Sequence, residues 1–112
     1  MTRLQIATML SSITGLPVAY RAFPIGDAPQ TPPYLVYFYE ASDDVMADNE
    51  NYVNVENLVV ELYSSPSRDF TMEDTLDALF KKNHITYQKT EEYIDAISMY
   101  RTTYEMEVVI NG

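Results

Sequence analysis

Residues 52–93 read YVNVENLVVELYSSPSRDFTMEDTLDALFKKNHITYQKTEEY and determine the predicted fold. In residues 52–63 the apolar side chains recur at every second position, so that Leu58, Val60 and Leu62 share one face. A period of two with one apolar face predicts a strand that is covered on that side. The rest of the chain must therefore complete a sheet and cover this face.

The second part of the stretch predicts a helix. Within residues 69–83, Leu76, Leu79 and Phe80 stand at i, i+3 and i+4, the spacing of one apolar helix face. Residues 85–93 then alternate as a returning strand. A strand, a helix of about four turns and a second strand form a small unit of sheet and helix.

The flanking segments predict one more helix and three more strands. Residues 2–14 predict a first helix that has Thr2 as its N-cap and Gly15 as its stop in the left-handed conformation. Ile6, Met9, Leu10 and Ile13 lie on one face of this helix. Further strands are predicted at residues 18–23, 34–40 and 97–110.

The predicted order is α-β-β-β-α-β-β, which indicates an α+β fold with a mainly antiparallel sheet and two helices packed on one face. A chain of 112 residues predicts a single domain, residues 1–112. The predicted core residues share inward-facing positions in these periodic patterns: Ile6, Leu10, Ile13, Leu58, Val60, Leu62, Leu76, Leu79, Phe80, Tyr104, Met106 and Val108.

Composition excludes several classes of function. Seventeen acidic residues against seven basic ones give a net charge of −10, which disfavours direct binding to the phosphates of nucleic acids. The chain has no cysteine, so disulfides and zinc–thiolate sites are excluded. No signal peptide or membrane-spanning segment is expected from the sequence pattern. Besides its acidic charge, the composition is biased toward tyrosine, with ten residues. Tyrosine suits half-buried strands and interfaces.

Two neighbouring segments suggest an assembly surface. Residues 34–39 are apolar and aromatic on both faces, so a neighbouring subunit is one candidate to cover the face opposite the helices. Residues 41–51 form a long acidic connection, for which a hairpin loop and a calcium site are both considered, although the spacing does not match an EF-hand. The candidate interface residues are Tyr34, Tyr37, Tyr39, Asp43, Asp44, Asp48 and Glu50.

The motifs of common enzymes do not occur in this sequence. It contains no phosphate-binding glycine loop, no nucleophile elbow and no HExxH metal motif. The single histidine, His84, follows a predicted helix and is interpreted as a helix C-cap or an exposed residue. No catalytic residue, metal ligand or cofactor site is predicted, and the chain is expected not to be an enzyme.

Several strings resemble one family of proteins along nearly the whole chain. They are GLPVAYRAFP at residues 15–24, PPYLVYFYE at 32–40, VELYS at 60–64, KTEEYI at 89–94 and MYRTTYEMEV at 99–108. These strings resemble the small tail-completion and head–tail connector proteins of long-tailed bacteriophages and prophages of Gram-positive bacteria. Proteins of this family are tail-terminator-like. The acidic segment 41–51 is the part that matches least.

The resemblance implies a structural virion protein without enzymatic activity, assembled in the cytoplasm of a bacterial host. It implies a ring of identical subunits, possibly a hexamer, that caps the tail tube and joins it to the head. The implied partners are the tail-tube protein and a connector protein on the head side, with DNA passing through the ring. The residues alone leave two other classes open: a monomeric acidic binding module, such as an inhibitor or a DNA mimic, and a small hydrolase.

Overall fold

The structure is a computed structural model that describes residues 1–23, 31–40, 45–47, 50–67 and 70–110, and the side chains of these residues except 45–47 and 50–53. Neither helix in this part of the chain is long and apolar enough to cross a membrane.

The described residues form two helices, seven strands and one short 3₁₀ turn at Asp95–Ile97. The helices are α1 at Arg3–Ser11 and α2 at Thr71–Lys82. The strands are β1 at Val18–Tyr20, β2 at Tyr34–Tyr39, β3 at Val45–Ala47, β4 at Glu50–Val53, β5 at Val55–Ser64, β6 at Gln88–Ile94 and β7 at Met99–Val109.

Five of the strands form one sheet in the order β1-β2-β5-β7-β6. The pair β1–β2 is parallel and the other three pairs are antiparallel. The remaining strands, β3 and β4, form a separate two-stranded antiparallel sheet, called here the hairpin. The predicted α+β class and the order α-β-β-β-α-β-β are confirmed, with the hairpin inserted between β2 and β5.

The pairing register places the apolar residues of neighbouring strands side by side. Leu58 lies opposite Met106, and Val60 lies opposite Tyr104. Because side chains alternate between the two faces of a strand, these residues share one face of the sheet. They pack in one core with the inner side of both helices, to which Ile6 and Phe80 belong. The central strand β5, which the period of two predicts, therefore contributes Leu58, Val60 and Leu62 to the core that it shares with both helices.

Ten of the twelve predicted core residues are buried, and two are not fully so. Leu79 and Ile13 are half-buried and pack at the margin of the core. The inward stripe of α2 consists of Glu73, Leu76 and Phe80, which leaves Leu79 beside it. Buried apolar residues outside the predicted core list are Met9, Leu16, Leu35, Val36, Val59 and Ile110.

Most of the helices and strands are shorter than predicted. The first helix begins at the predicted N-cap, where the Thr2 hydroxyl accepts from the Gln5 N–H at 3.0 Å in a capping box, but it ends at Ser11. The predicted strand at residues 52–63 is interrupted at Asn54, which separates β4 from β5. Gly15 adopts φ +78°, the predicted left-handed conformation.

His84 ends α2 through its backbone. Its φ is +57°, its N–H donates to the Lys81 carbonyl, and the Ile85 N–H donates to the Phe80 carbonyl. These two bonds are those of a Schellman motif, in which a left-handed residue satisfies the last carbonyls of a helix. The position of His84 is thus explained by helix termination, and its side chain is exposed.

Candidate assembly surface

Tyr34 lies on the face of the sheet opposite the helices, called here the open face. Its ring stacks on Tyr63 of the neighbouring strand at 4.9 Å between centroids, and Phe23 meets it edge-on at 5.7 Å. The Tyr34 hydroxyl donates to the Met99 sulfur at 3.5 Å. Aromatic pairs in these geometries add stabilisation beyond their buried area. Tyr34 is therefore half-buried within its own chain and exposes only part of its ring.

Tyr37 and Tyr39 lie on the other face of β2, the face that the helices cover. They form a cluster with Tyr20 of the edge strand β1, at centroid distances of 5.3 Å for Tyr20–Tyr37 and 6.4 Å for Tyr37–Tyr39. The Arg3 guanidinium lies 5.4 Å from the Tyr39 ring, and the Arg21 guanidinium lies 5.5 Å from the Tyr20 ring. Tyrosine and arginine are the side chains enriched at protein interfaces, and Tyr20 is 47% exposed.

The structure therefore divides the three predicted tyrosines between two faces of the sheet. Strand β2 is two-sided, as its sequence predicts, but Tyr34 contributes to one surface while Tyr37 and Tyr39 contribute to another. The sequence did not single out Tyr20, Arg3 or Arg21, which complete the second cluster. Because Tyr20 and Tyr37 face each other across the parallel pair β1–β2, only the register brings them together.

The Tyr39 hydroxyl is buried without a hydrogen-bond partner among the described residues. Burial raises the pKa of Tyr39 to about 12, and the neighbouring Tyr37 adds to this rise. The unfolded phenol ionises near pH 10, so the folded state holds its proton more tightly. The contribution of the protonated Tyr39 hydroxyl to the free energy of unfolding is fully present below about pH 10. It is lost as the pH rises through about 12.

Replacing Tyr39 by phenylalanine should therefore stabilise the fold. The change removes a buried hydroxyl that lacks a partner, so the free energy of unfolding should rise by about 1 kcal/mol at neutral pH. The loss of stability between pH 10 and pH 12 should also become smaller. Denaturant titration at both pH values measures this, with Tyr93→Phe as a control because Tyr93 is 44% exposed. A Tyr39→Phe protein that is less stable than wild type would contradict the assignment of an unsatisfied hydroxyl.

The four predicted acidic residues of the surface belong to the hairpin region. Asp43, Asp44 and Asp48 lie outside the described residues, and Glu50 is described only as the first backbone position of β4. The hypothesis of a calcium site at residues 41–51 also falls on this region. Elsewhere, the described residues contain no group of three or more His, Asp or Glu side chains that could hold a metal ion.

The open face becomes acidic toward β7 and β6. The Arg101 guanidinium lies 3.6 Å from the Glu61 carboxylate and also bonds the Glu92 carboxylate. This network lines part of a groove of about 360 Å³, and most of the charged residues in the groove are acidic: Glu40, Glu61, Glu91, Glu92 and Glu105. One arginine among five carboxylates leaves this part of the surface negative.

A second ionic cluster holds α2 onto the edge strand β6. The Lys89 ammonium lies 3.0 Å from the Glu73 carboxylate and 3.1 Å from the Asp77 carboxylate. The Tyr87 hydroxyl donates to the other Asp77 oxygen at 2.6 Å. The hydrogen bond to Glu73 is the main cause that raises the pKa of Lys89, and burial raises the pKa of Tyr87 to about 12. Both carboxylates are bonded within the fold, and this pairing allows Glu73 to be buried.

No protein-family model matches the chain, and no curated protein matches it. Among solved structures, one chain of the structure described as "Virion of native gene transfer agent (GTA) particle" is similar in fold. The match has a TM-score of 0.68 and 12% sequence identity, and it covers 96% of this chain and 92% of the other. At this identity the match shows a common fold for the two chains.

Proposed function

We propose that this chain is a structural virion protein that forms a ring at the head–tail junction, caps the tail tube and joins it to the connector on the head side. The observation that carries the proposal is the fold shared, over nearly the full length of both chains, with a component of a gene transfer agent virion. The resemblance of five sequence strings to tail-completion proteins supports the more specific placement at the tail end.

The two edges and two faces of the sheet suit a ring. In a ring each subunit presents one surface to the neighbour on its left and a different surface to the neighbour on its right. The cluster of Tyr20, Tyr37 and Tyr39 with Arg3 and Arg21 lies at the β1 edge, and the exposed strand β6 forms the opposite edge. Two distinct surfaces at opposite edges can make the same contact repeatedly until the ring closes.

The negative charge suits a ring through which DNA passes. Carboxylates repel the phosphate backbone, so a lumen lined by acidic residues lets DNA move without being held. The acidic groove of the open face, which Arg101, Glu61 and Glu92 help to line, is the described surface best suited to such a wall.

Assembly should depend on salt. Subunits that each carry a net charge of −10 repel one another before they touch. The screening length falls from about 30 Å at 0.01 M to about 8 Å at 0.15 M ionic strength. We therefore expect light scattering to show a higher molar mass as salt is raised across this range. A protein that stays monomeric at all salt concentrations, both alone and with purified tail tubes, would contradict the proposed ring.

A further inference from the structure

Strand β6 is an exposed edge of the five-stranded sheet. Its seven residues, Gln88–Ile94, pair with β7 along an unbroken register, and six of them are exposed. The strand contains no proline, and two of its charged residues, Lys89 and Glu92, are bonded within the fold to carboxylates of α2 and to Arg101. Proline, bulges and free charges commonly keep strand edges from pairing with other chains. Strand β6 is therefore well suited to receive a further strand.

The hydrogen bonds of the neighbouring strands show which backbone groups of β6 point away from the sheet. The Ile110 N–H donates to the Asn54 carbonyl at 2.9 Å, so the even-numbered residues of β5 and β7 bond each other. Bonded positions alternate along antiparallel strands, so β7 bonds β6 through its odd-numbered residues, for example Thr103 opposite Thr90. The odd-numbered residues of β6, such as Tyr93, therefore direct their N–H and C=O groups outward.

Strand β1 is the opposite edge of the same sheet and also has backbone groups that point outward. The Arg21 N–H donates to the Tyr37 carbonyl of β2 at 2.8 Å. Val18 and Tyr20 stand at the alternate positions and so direct their backbone groups away from β2. The Tyr20 carbonyl accepts from the Ala22 N–H at 2.8 Å. Within the described part of the chain, the Tyr20 N–H and both backbone groups of Val18 have no hydrogen bond.

The two edge strands run in opposite directions. Strand β1 is parallel to β2, and three antiparallel pairs then lead across the sheet to β6. A second copy that is turned about an axis parallel to the strands keeps these directions. Its β6 then lies antiparallel to β1 of the first copy. Because the two edges are different surfaces, the contact is heterologous and can repeat around a ring.

We propose that β6 of one copy pairs with β1 of the next in an antiparallel register, which continues the sheet around the ring. The inference rests on the proposed ring and identifies its contact. With Val18 opposite Tyr93, these two residues exchange both backbone hydrogen bonds, and Tyr20 lies diagonal to Tyr93, within reach of its ring. Tyr20 and Tyr93 are 47% and 44% exposed in the single chain, and this register brings the two rings together.

The charges of the two edges are complementary. The Arg21 guanidinium lies 5.5 Å from the Tyr20 ring at the β1 edge. Strand β6 carries Glu91 and Glu92 against one cation, Lys89, which two carboxylates of α2 already bond. A positive edge thus meets a negative one, and such complementarity favours a second copy of this chain as the partner.

The pairing also places the two faces of the sheet. Val18 and Tyr93 both carry their side chains on the face that the helices cover. Residues that lie opposite each other in a sheet share a face, so the helices of all copies stay on one side. The acidic groove of every copy then lies on the other side, which agrees with a lumen lined by this groove.

Disulfide cross-linking tests the register, since the chain has no cysteine of its own. Residues in a bonded antiparallel pair have Cα atoms about 5.5 Å apart, a distance that a disulfide spans. A mixture of Val18→Cys and Tyr93→Cys proteins should therefore give a disulfide-linked dimer on oxidation. Glu92→Cys is the matched control for Tyr93→Cys, because its side chain lies on the other face of β6. Mixed with Val18→Cys, it should give about tenfold less dimer.

A proline substitution tests the backbone bonds. Tyr93→Pro removes an N–H that points outward, so the sheet of the chain itself keeps its bonds. Tyr93→Ala removes the same ring but keeps the N–H. Analytical ultracentrifugation should show self-association that is about fivefold or more weaker for Tyr93→Pro than for Tyr93→Ala. Circular dichroism melts should show that both variants are folded.

The outcomes distinguish this inference from the proposed function. If wild type assembles but the two cysteine pairs cross-link equally, or if folded Tyr93→Pro associates as well as Tyr93→Ala, the edge pairing is wrong while the ring stands. If Val18→Cys and Tyr93→Cys cross-link as expected but wild type does not bind purified tail tubes, the edge pairing is supported and the placement at the tail end is wrong. If wild type neither self-associates nor binds tubes at any salt concentration, both are wrong.

Discussion

Replacing Leu76 by alanine should lower the free energy of unfolding by about 2–5 kcal/mol. Leu76 is fully buried in the stripe of α2 that packs on the sheet, so the change leaves a cavity between helix and sheet. A domain of this size is stable by only about 5–15 kcal/mol, so the loss is a large part of the total. Denaturant titration followed by circular dichroism measures the effect directly.

Leu79→Ala is the matched control for this prediction. It removes the same atoms from the same helix, but Leu79 is half-buried at the margin of the core, so the cost should be about 1 kcal/mol. A Leu79→Ala protein that loses as much stability as Leu76→Ala would show that α2 is rotated relative to the arrangement described.

Replacing residues 43–50 by a Gly-Ser segment of equal length should abolish assembly while leaving the domain folded. The hairpin forms a sheet of its own, so the five-stranded sheet and both helices do not depend on it for pairing. The melting temperature should therefore stay within a few degrees of wild type, whereas the variant should remain monomeric and should not cap tail tubes. If the variant assembles and caps tubes as wild type does, the hairpin is solvated surface and takes no part in assembly.

Periodicity predicted the buried face correctly where that face depends on the pattern of a single strand or helix. The alternation of Leu58, Val60 and Leu62 placed the buried side of β5 correctly, and the stripe through Leu76 and Phe80 placed the inner side of α2. The same pattern could not distinguish Leu79 from Leu76. Both fit an apolar helix face, and the decision depends on where α1 lies against α2, which is a tertiary property.

Burial of Glu73 shows the limit of sequence patterns more clearly. A carboxylate inside the apolar stripe of a helix contradicts the hydrophobic pattern, and its burial is possible because Lys89 lies 3.0 Å away. Lys89 is on β6, sixteen positions along the chain, and only the packing of α2 across β6 brings the two together. The parallel pairing of β1 with β2, and with it the meeting of Tyr20 and Tyr37, likewise depends on contacts distant in sequence.

The sequence indicated which residue types form the candidate surface, but not how these residues are arranged in space. An aromatic strand followed by an acidic connection indicated assembly, yet the alternation along β2 separates Tyr34 from Tyr37 and Tyr39. The groove of about 580 Å³ between α1 and α2, with Leu4 on one side and Lys82 on the other, had no signal of its own, since exposed leucine and lysine are common on helices. Only the antiparallel packing of α1 and α2 places them beside one another.

Electron microscopy of purified tail tubes incubated with the protein tests the central claim most directly. A ring that completes the tail should appear as added density at one end of each tube, should stop further growth when free tube subunits are supplied, and should allow joining to heads. Tubes that keep bare ends at every salt concentration, continue to grow and join to no heads would contradict the assignment of this chain to the head–tail junction.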